Sequence, residues 1–263
     1  MDRDEVLAEF DRQMRREAVS DDLGARMERT ERLVRQVGGT AHTWAGVLWS
    51  GLDDGTADEA IAAQTAWLAG PEGRGREFEW KLYSHDRPAD LGDRLRRAGF
   101  VPDPTETLMI AEVAALPTEV RLPDGVRLEP VTDAAGVDLV AAVHERAFGA
   151  SAARLRDRLL DQLAQTADGS LTMTVAMAGD EPVCAARMEI TPGTDFAGLW
   201  GGGTVEEWRG RGIYRALVAH RAALAAARGI RYLQVDATDD SRPILQRLGF
   251  AALSTTTPYL IQG

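Results

Sequence analysis

The segment running from Trp200 to Val218, WGGGTVEEWRGRGIYRALV, constrains the fold more than any other part of the chain. Three successive glycines, Gly201 to Gly203, close a strand-like run. Gly210, Arg211 and Gly212 then make a tight turn, and an amphipathic helical pattern starts directly after it. A strand, a glycine turn and a helix N-terminus build an anion site from backbone alone. The first-turn N–H groups of a helix have no intrahelical acceptor, and they sit at the positive end of the helix dipole. Phosphate or pyrophosphate is stabilised there.

With 263 residues the chain has room for one large domain or two of ordinary size. Its net charge of −11 argues against nucleic acid as a partner, because a phosphate backbone demands a basic face. The same charge fits a solvated acidic surface, and less directly a cationic small substrate. Cys184 is the single cysteine, which excludes an internal disulfide and a cysteine-held zinc site; its strand-like surroundings predict a small buried apolar residue. The histidines His42, His85, His144 and His220 lack metal-ligand spacing, so no metal is expected. The acidic start at Met1 is no secretion signal, and no stretch reaches the length of a membrane span. These features place the protein in the cytoplasm, away from membranes.

Periodicity predicts a charged helix over 4–17, strands over 43–50 and 77–83, and a helix over 58–68. A further helix is expected after Asp90 as its cap, stopped at Gly99, with a strand over 107–113 behind it. Two prolines and a turn signal in 114–125 mark a junction, which divides the chain into domains 1–118 and 119–263. The second half reads as strand 126–130, helices 136–148 and 151–165, strands 171–178, 182–190 and 196–205, and helix 213–228. That helix carries Ile213, Ala216, Leu217, Leu224 and Ala227 on one stripe. His220 lies on the stripe too and reads as a core or interface histidine. Strand 230–236 follows, then a short helix capped by Ser241 with Pro243 in its first turn, then a closing strand. The fold class is α/β, a mixed and mostly antiparallel sheet flanked by helices in each of two domains.

The halves also repeat. At an offset of 150, Asp86, Asp90, Leu95, Arg97, Gly99, Phe100, Thr105 and Thr107 fall on Asp236, Asp240, Leu245, Arg247, Gly249, Phe250, Thr255 and Thr257. An internal duplication is suggested.

The run from Arg209 to Tyr214, RGRGIY, resembles the acetyl-CoA-binding signature of the GNAT N-acetyltransferases, Arg/Gln-x-x-Gly-x-Gly/Ala. Arg209 and Gly212 fall on the first two fixed positions; Tyr214 stands where the family usually has Gly or Ala. The resemblance covers about 126–263 and includes the closing Leu248, Gly249 and Phe250. A dinucleotide fingerprint fails because Arg215 stands where its third glycine belongs, and a P-loop fails for lack of Gly-Lys-Ser/Thr. The first half keeps the closing segment of the family pattern without the CoA motif, and so resembles a degenerate GNAT-like domain.

The resemblance implies a cofactor-binding set of Gly203, Thr204, Val205, Arg209, Gly210, Arg211, Gly212, Ile213 and Tyr214. Backbone near Gly203 and Val205 would bond the pantetheine arm, and N–H groups from Arg209 to Tyr214 would hold the pyrophosphate. Arg209, Arg211 and Arg215 would bring positive charge to the phosphates, or stand as surface charges of the helix; the three glycines would equally suit a bulge or a loose turn. The implied reaction is acetyl transfer from acetyl-CoA to the amine of a small molecule, with acetyl-CoA as co-substrate and no metal. It needs a base for the ammonium and an acid for the departing thiolate. The catalytic residues are not identified by the sequence; Glu189 and Asp236, each at a strand end, are weak candidates for the base and equally suit structural roles. Leu245 occupies the position where many members carry an acidic tyrosine. That departure leaves open an alternative, a non-catalytic CoA-binding sensor or partner-binding protein.

Overall fold

A computed structural model describes residues 1–20, 24–39, 43–165 and 169–263. His42 lies outside the described residues. The chain divides into two compact units. Unit 1 holds Met1–Met109, Asp236–Pro243 and Ala251–Gly263, and unit 2 holds Ile110–Val235 and Ile244–Phe250.

Unit 1 begins with α1 (Arg3–Phe10), capped by the Asp2 carboxylate, which accepts from the N–H groups of Asp4 and Glu5. The helix runs on as a π-helical turn, Asp11–Arg16. The strands β1 (Arg26–Arg29), β2 (Leu33–Val37) and β3 (Ala45–Ser50) follow. After them come α2 (Ala57–Ala69), β4 (Glu77–Tyr83), α3 (Leu91–Arg97) and β5 (Val101–Pro102). β6 (Glu106–Glu112) starts in unit 1 and ends in unit 2, where a 3₁₀ turn Val113–Ala115 follows it.

The rest of unit 2 is β7 (Val126–Pro130), α4 (Ala134–Phe148), α5 (Ala153–Gln165), β8 (Leu171–Ala178), β9 (Glu181–Ile190) and β10 (Phe196–Thr204). A 3₁₀ turn Glu206–Trp208 leads to α6 (Ile213–Ala227), to β11 (Tyr232–Ala237), which passes into unit 1 at Asp236, and to α7 (Arg242–Leu248), which returns to unit 2 at Ile244. The last strand, β12 (Ala251–Gln262), belongs to unit 1.

In unit 1 the strand order is β1-β2-β3-β4-β12; β3 and β4 are parallel and the other pairs antiparallel. Its core gathers Phe78, Trp80, Leu91, Leu95, Phe100 and Tyr259 among others. In unit 2 the order is β11-β10-β9-β8-β7, antiparallel except for the parallel β10–β11 pair. Its core joins Val137, Val140 and Val143 of α4, Leu159 of α5, the buried faces of β8 and β9, and Ile213 and Leu217 of α6. Parallel neighbours need a crossover, and α2 and α6 supply it in the two units. The mixed sheet flanked by helices is the expected fold class.

The 150-residue repeat has a structural counterpart. Phe100 N–H donates to Leu95 C=O and Gly99 N–H to Arg96 C=O; at the same offset Phe250 N–H donates to Leu245 C=O and Gly249 N–H to Gln246 C=O. Gly99 and Gly249 both take positive φ, 96° and 106°, as the left-handed end of a helix requires. Leu95 and Leu245 are both fully buried beneath these caps.

Several local expectations differ from the outcome. Asp90 stands at the start of α3 without capping it; its carboxylate accepts from Arg94 Nε instead. Ser241 likewise turns its hydroxyl to the Thr238 carbonyl. On α6, Ala227 is exposed, while Arg221 is buried on the face expected to be apolar. β1 and β2 were outside the sequence reading altogether.

Candidate functional site

The parallel ladder between β10 and β11 is short. It runs from Phe196 opposite Tyr232 to Gly198 opposite Gln234 and stops there, although β10 continues to Thr204. On its other side β10 is interrupted as well. Trp200 faces Arg187 and Gly203 faces Ala185, so two residues of β10 oppose one of β9. This is a β-bulge, and Gly201 within it takes φ 59°. Gly201 and Gly202 have ladder partners on neither side. A stretch of strand backbone is thus left free beside the turn that follows.

The glycines also make room. A Cβ on Gly202 would come within 2.8 Å of the Tyr214 ring, and one on Gly203 within 2.8 Å of the Phe148 ring. Tyr214, unusual for the motif, therefore packs against the strand precisely because position 202 carries no side chain. Burial pushes the Tyr214 phenol up, against the opposing charge of Arg221.

Gly210 and Gly212 take φ 75° and 84°, and nothing lies within 4 Å of a Cβ built on either. Left-handed backbone, not crowding, selects glycine there. Gly212 is the N-cap of α6 and offers no side chain to the helix. The first intrahelical bond runs from Ala216 N–H to Gly212 C=O. The N–H groups of residues 210–215 find no acceptor among the described residues. That row of donors stands at the positive end of a 15-residue helix, an arrangement that suits an anion.

The arginines behave differently from one another. Arg209 turns inward, donating from Nε to Thr204 C=O and from Nη2 to Ala147 C=O. Arg211 donates to Glu207 C=O and lies 4.5 Å over the Trp208 ring. Both brace the turn that presents the N–H groups, while Arg215 stays exposed on the first turn of α6. Thr204 accepts or donates at 3.1 Å with Cys184, whose buried thiol is pushed up to about 11. Val205 is fully buried, and its N–H holds Val183 C=O.

Of the two candidate bases, Glu189 lies in unit 2 and Asp236 in unit 1. Glu189 faces Gly198, the residue at which the β10–β11 ladder ends, and is partly exposed. Its Oε1 accepts from Arg187 Nε at 2.8 Å. Asp236 is almost wholly enclosed and clamped by Lys81, the only lysine of the chain. Burial lowers the Lys81 pKa, but the Asp236 carboxylate more than offsets it and holds the ammonium charged. Leu245 is fully buried, so no polar group replaces the tyrosine usual at that position. His220 is half-buried, and burial together with Arg221 lowers its pKa. Among the described residues no cluster of His, Cys, Asp and Glu is gathered that could hold a metal, and no helix is long and apolar enough to cross a membrane.

Unit 1 has a matching place, differently filled. β3 and β4 pair only at Gly46–Glu79 and Val47–Trp80. The next carbonyl of β3, that of Leu48, accepts from Arg15 Nε at 3.0 Å. Arg15 is nearly inaccessible; it forks onto both oxygens of Asp86, pairs with Asp11 and lies 4.1 Å over the Tyr83 ring. The helix after β3 starts in an acidic turn in which Asp53 takes the Gly55 N–H and its carbonyl takes those of Thr56 and Ala57. Three of the N–H groups at this helix start are thus taken. Arg15 is not legible as a buried residue from the sequence, because an arginine in a charged helix reads as a surface residue.

Residues 138–250 match the family model described as the Acetyltransferase (GNAT) family. No curated protein matches the chain. Among solved structures, a GCN5-related N-acetyltransferase from Kribbella flavida superposes with a TM-score of 0.67 at 18% identity, covering 91% of this chain and 90% of the other. A tandem GNAT protein from the clavulanic acid biosynthesis pathway gives 0.61 at 14% identity, over 91% of this chain and 84% of that one. A GCN5-related N-acetyltransferase from Sphaerobacter thermophilus gives 0.58 at 14% identity, over 98% and 84%. At these identities the likeness is one of fold, and it extends over both units.

Proposed function

We propose, from the match of residues 138–250 to the GNAT acetyltransferase family, whose members transfer acyl groups from acyl-CoA, that this chain is an N-acetyltransferase that moves the acetyl group of acetyl-CoA to the amine of a small molecule. The observation that carries the reading is the free donor row of residues 210–215 beside a strand released from its neighbour after Gly198. The pyrophosphate is held by the N–H groups from Gly210 to Tyr214, with Arg209 and Arg211 bracing the loop. The pantetheine arm lies along the free edge of β10, bonding backbone near Gly203 and Val205. The N–H groups of the Gly201–Gly202 bulge polarise the thioester carbonyl as charge develops on its oxygen.

Glu189 is the base. It is the one of the two candidates that shares unit 2 with the turn, and it is open to solvent, which the proton from the incoming ammonium must reach. The amine nitrogen attacks the thioester carbon, the C–S bond breaks, and the thiolate leaves. Tyr214 is the phenol available to return a proton to sulfur, since burial keeps it protonated and its ring lies against the bulge.

We read residues 1–118 as a GNAT-like domain that has lost its cofactor and 119–263 as the working domain. Arg15 occupying the strand gap, and the acidic turn before α2, support that assignment for the first half. The buried Leu245 favours one second reading, a CoA-binding protein without turnover. A CoA titration beside an assay of CoA release with a panel of amines separates the two. Binding with release supports the enzyme, binding without release on any amine supports the sensor, and absence of binding refutes both.

A further inference from the structure

Arg187 is a cation without enough partners. Its side chain is nine-tenths buried on β9, and only Nε is engaged, by Glu189. Nη1 and Nη2 have no hydrogen-bond partner among the described residues, yet neither is sealed off from solvent as Arg221 Nη2 is. The open side of the guanidinium is fixed by Gly201: Nη1 lies 3.1 Å from where a Cβ at that position would stand. The free donors are therefore aimed at the bulge. Among the described residues Glu189 is the carboxylate seen to answer the charge. Arg158 of α5 adds to it, and Arg187 in turn depresses His144 of α4, which burial already lowers; Glu145 opposes that shift. In a chain carrying a net charge of −11, this corner of unit 2 is locally cationic.

The register places the cation beside the reaction. Glu189 faces Gly198, the last rung between β10 and β11, and Arg187 faces Trp200, the last β10 residue paired before the bulge. Residues two apart on a strand share a face and stand roughly 6.5–7 Å apart. One carboxylate and one guanidinium thus stand side by side at the mouth of the gap, the first suited to an ammonium and the second, through a two-pronged N–H fork, to a carboxylate.

We propose that the acceptor is a short amino acid or a similar zwitterion, its amine delivered to Glu189 and its carboxylate held by the free Nη groups of Arg187. The proposal rests on the acetyltransferase reading of the same site. The fork also orients the amine, because a carboxylate clamped at Arg187 leaves the nitrogen few bonds of freedom near the base.

The test uses the full chain. Glycine, β-alanine and glutamate are each compared with their amides as acceptors for acetyl-CoA and for succinyl-CoA, in wild type and in Arg187→Met and Arg187→Lys. The acids should be preferred over their amides by at least tenfold in kcat/KM in wild type. Arg187→Met should erase that ratio, losing roughly 30- to 1000-fold on the acids, and Arg187→Lys should restore part of it. A ratio of acid to amide is insensitive to a general change in Glu189. As a readout independent of turnover, saturation-transfer NMR should detect β-alanine on wild type and not on Arg187→Met, with CoA affinity and melting temperature showing that the variant is folded. Equal use of acids and amides, or a ratio unmoved by Arg187→Met, overturns the proposal, as does failure of β-alanine to bind wild type. A preference confined to succinyl-CoA overturns it too, and moves the carboxylate to the acyl group. Loss of CoA binding in wild type refutes the acetyltransferase reading instead, and the NMR titration still decides the amino acid site.

Discussion

Replacing Gly212 by glutamate separates the fold of the turn from its charge. Gly212 sits at φ 84° with nothing within 4 Å of a built Cβ, so the new side chain meets no obstacle. What remains is the left-handed backbone, which costs an ordinary residue about 1–2 kcal/mol. A domain of ordinary stability survives that loss. The effect on an anion is larger. The added carboxylate stands among the N–H donors of residues 210–215, and a like charge about 4–6 Å away contributes roughly 2–4 kcal/mol of repulsion at an effective dielectric near 20–30. CoA affinity should therefore fall by about 30- to 1000-fold. Gly212→Ala carries the same backbone strain without the charge and should lose far less. Calorimetric titration of CoA on the three proteins, with a thermal melt of each, measures both terms. Near-wild-type affinity in Gly212→Glu would mean that the phosphates bind elsewhere, and the cradle at the start of α6 would have to be abandoned.

Other consequences follow from the same geometry. Glu189→Gln should lower kcat by about 10²- to 10⁴-fold with CoA affinity unchanged, measured by steady-state kinetics beside a binding titration; an unaffected kcat would exclude it as the base. Arg15→Ala leaves Asp86 enclosed without its cation and should cost unit 1 about 3–5 kcal/mol in a denaturant melt, where a loss under 1 kcal/mol would show that the pair is idle. His144 and His220 are both depressed, chiefly by burial. A group with a lowered folded pKa favours the fold above its unfolded value, about 6.5 for histidine, and that contribution is lost as pH falls through the folded value. Unit 2 should therefore lose stability on acidification from pH 7 to pH 5, and the double variant His144→Gln/His220→Gln should flatten that slope.

The sequence was most legible where backbone sets the chemistry. The turn at Gly210–Gly212 and the helix after it need positive φ at two places, and glycine announces both. Alternating apolar residues located β4 and β8 to β10 almost to the residue. What escaped were charged side chains that leave the surface. Arg15, Arg187 and Arg221 look like any other arginine in the sequence, yet each is buried; Arg15 finds Asp86 and Arg221 the Arg187 carbonyl far along the chain, and no local pattern encodes that. Arg209 fell in the right place for an unexpected use, since the carbonyls of Thr204 and Ala147 claim it. β1, with the sequence RMER, lacks a period-two apolar pattern because as an edge strand it has little to bury. The membership of β12 in unit 1 was equally hidden, because strand pairing is a long-range choice that the strand's own residues do not declare.

Arg15 makes the two units respond differently to the same solution. In unit 1 the strand gap is closed by a side chain tethered to the protein, whose effective concentration is fixed by the chain itself and cannot be diluted. In unit 2 no such side chain is seen at the end of the β10–β11 ladder among the described residues. By linkage, CoA at a hundredfold excess over its dissociation constant adds about 2.7 kcal/mol to whatever unit binds it and nothing to the other. If CoA binds unit 2 alone, as proposed, its supply sets the stability of that half of the polypeptide and leaves the other half unchanged.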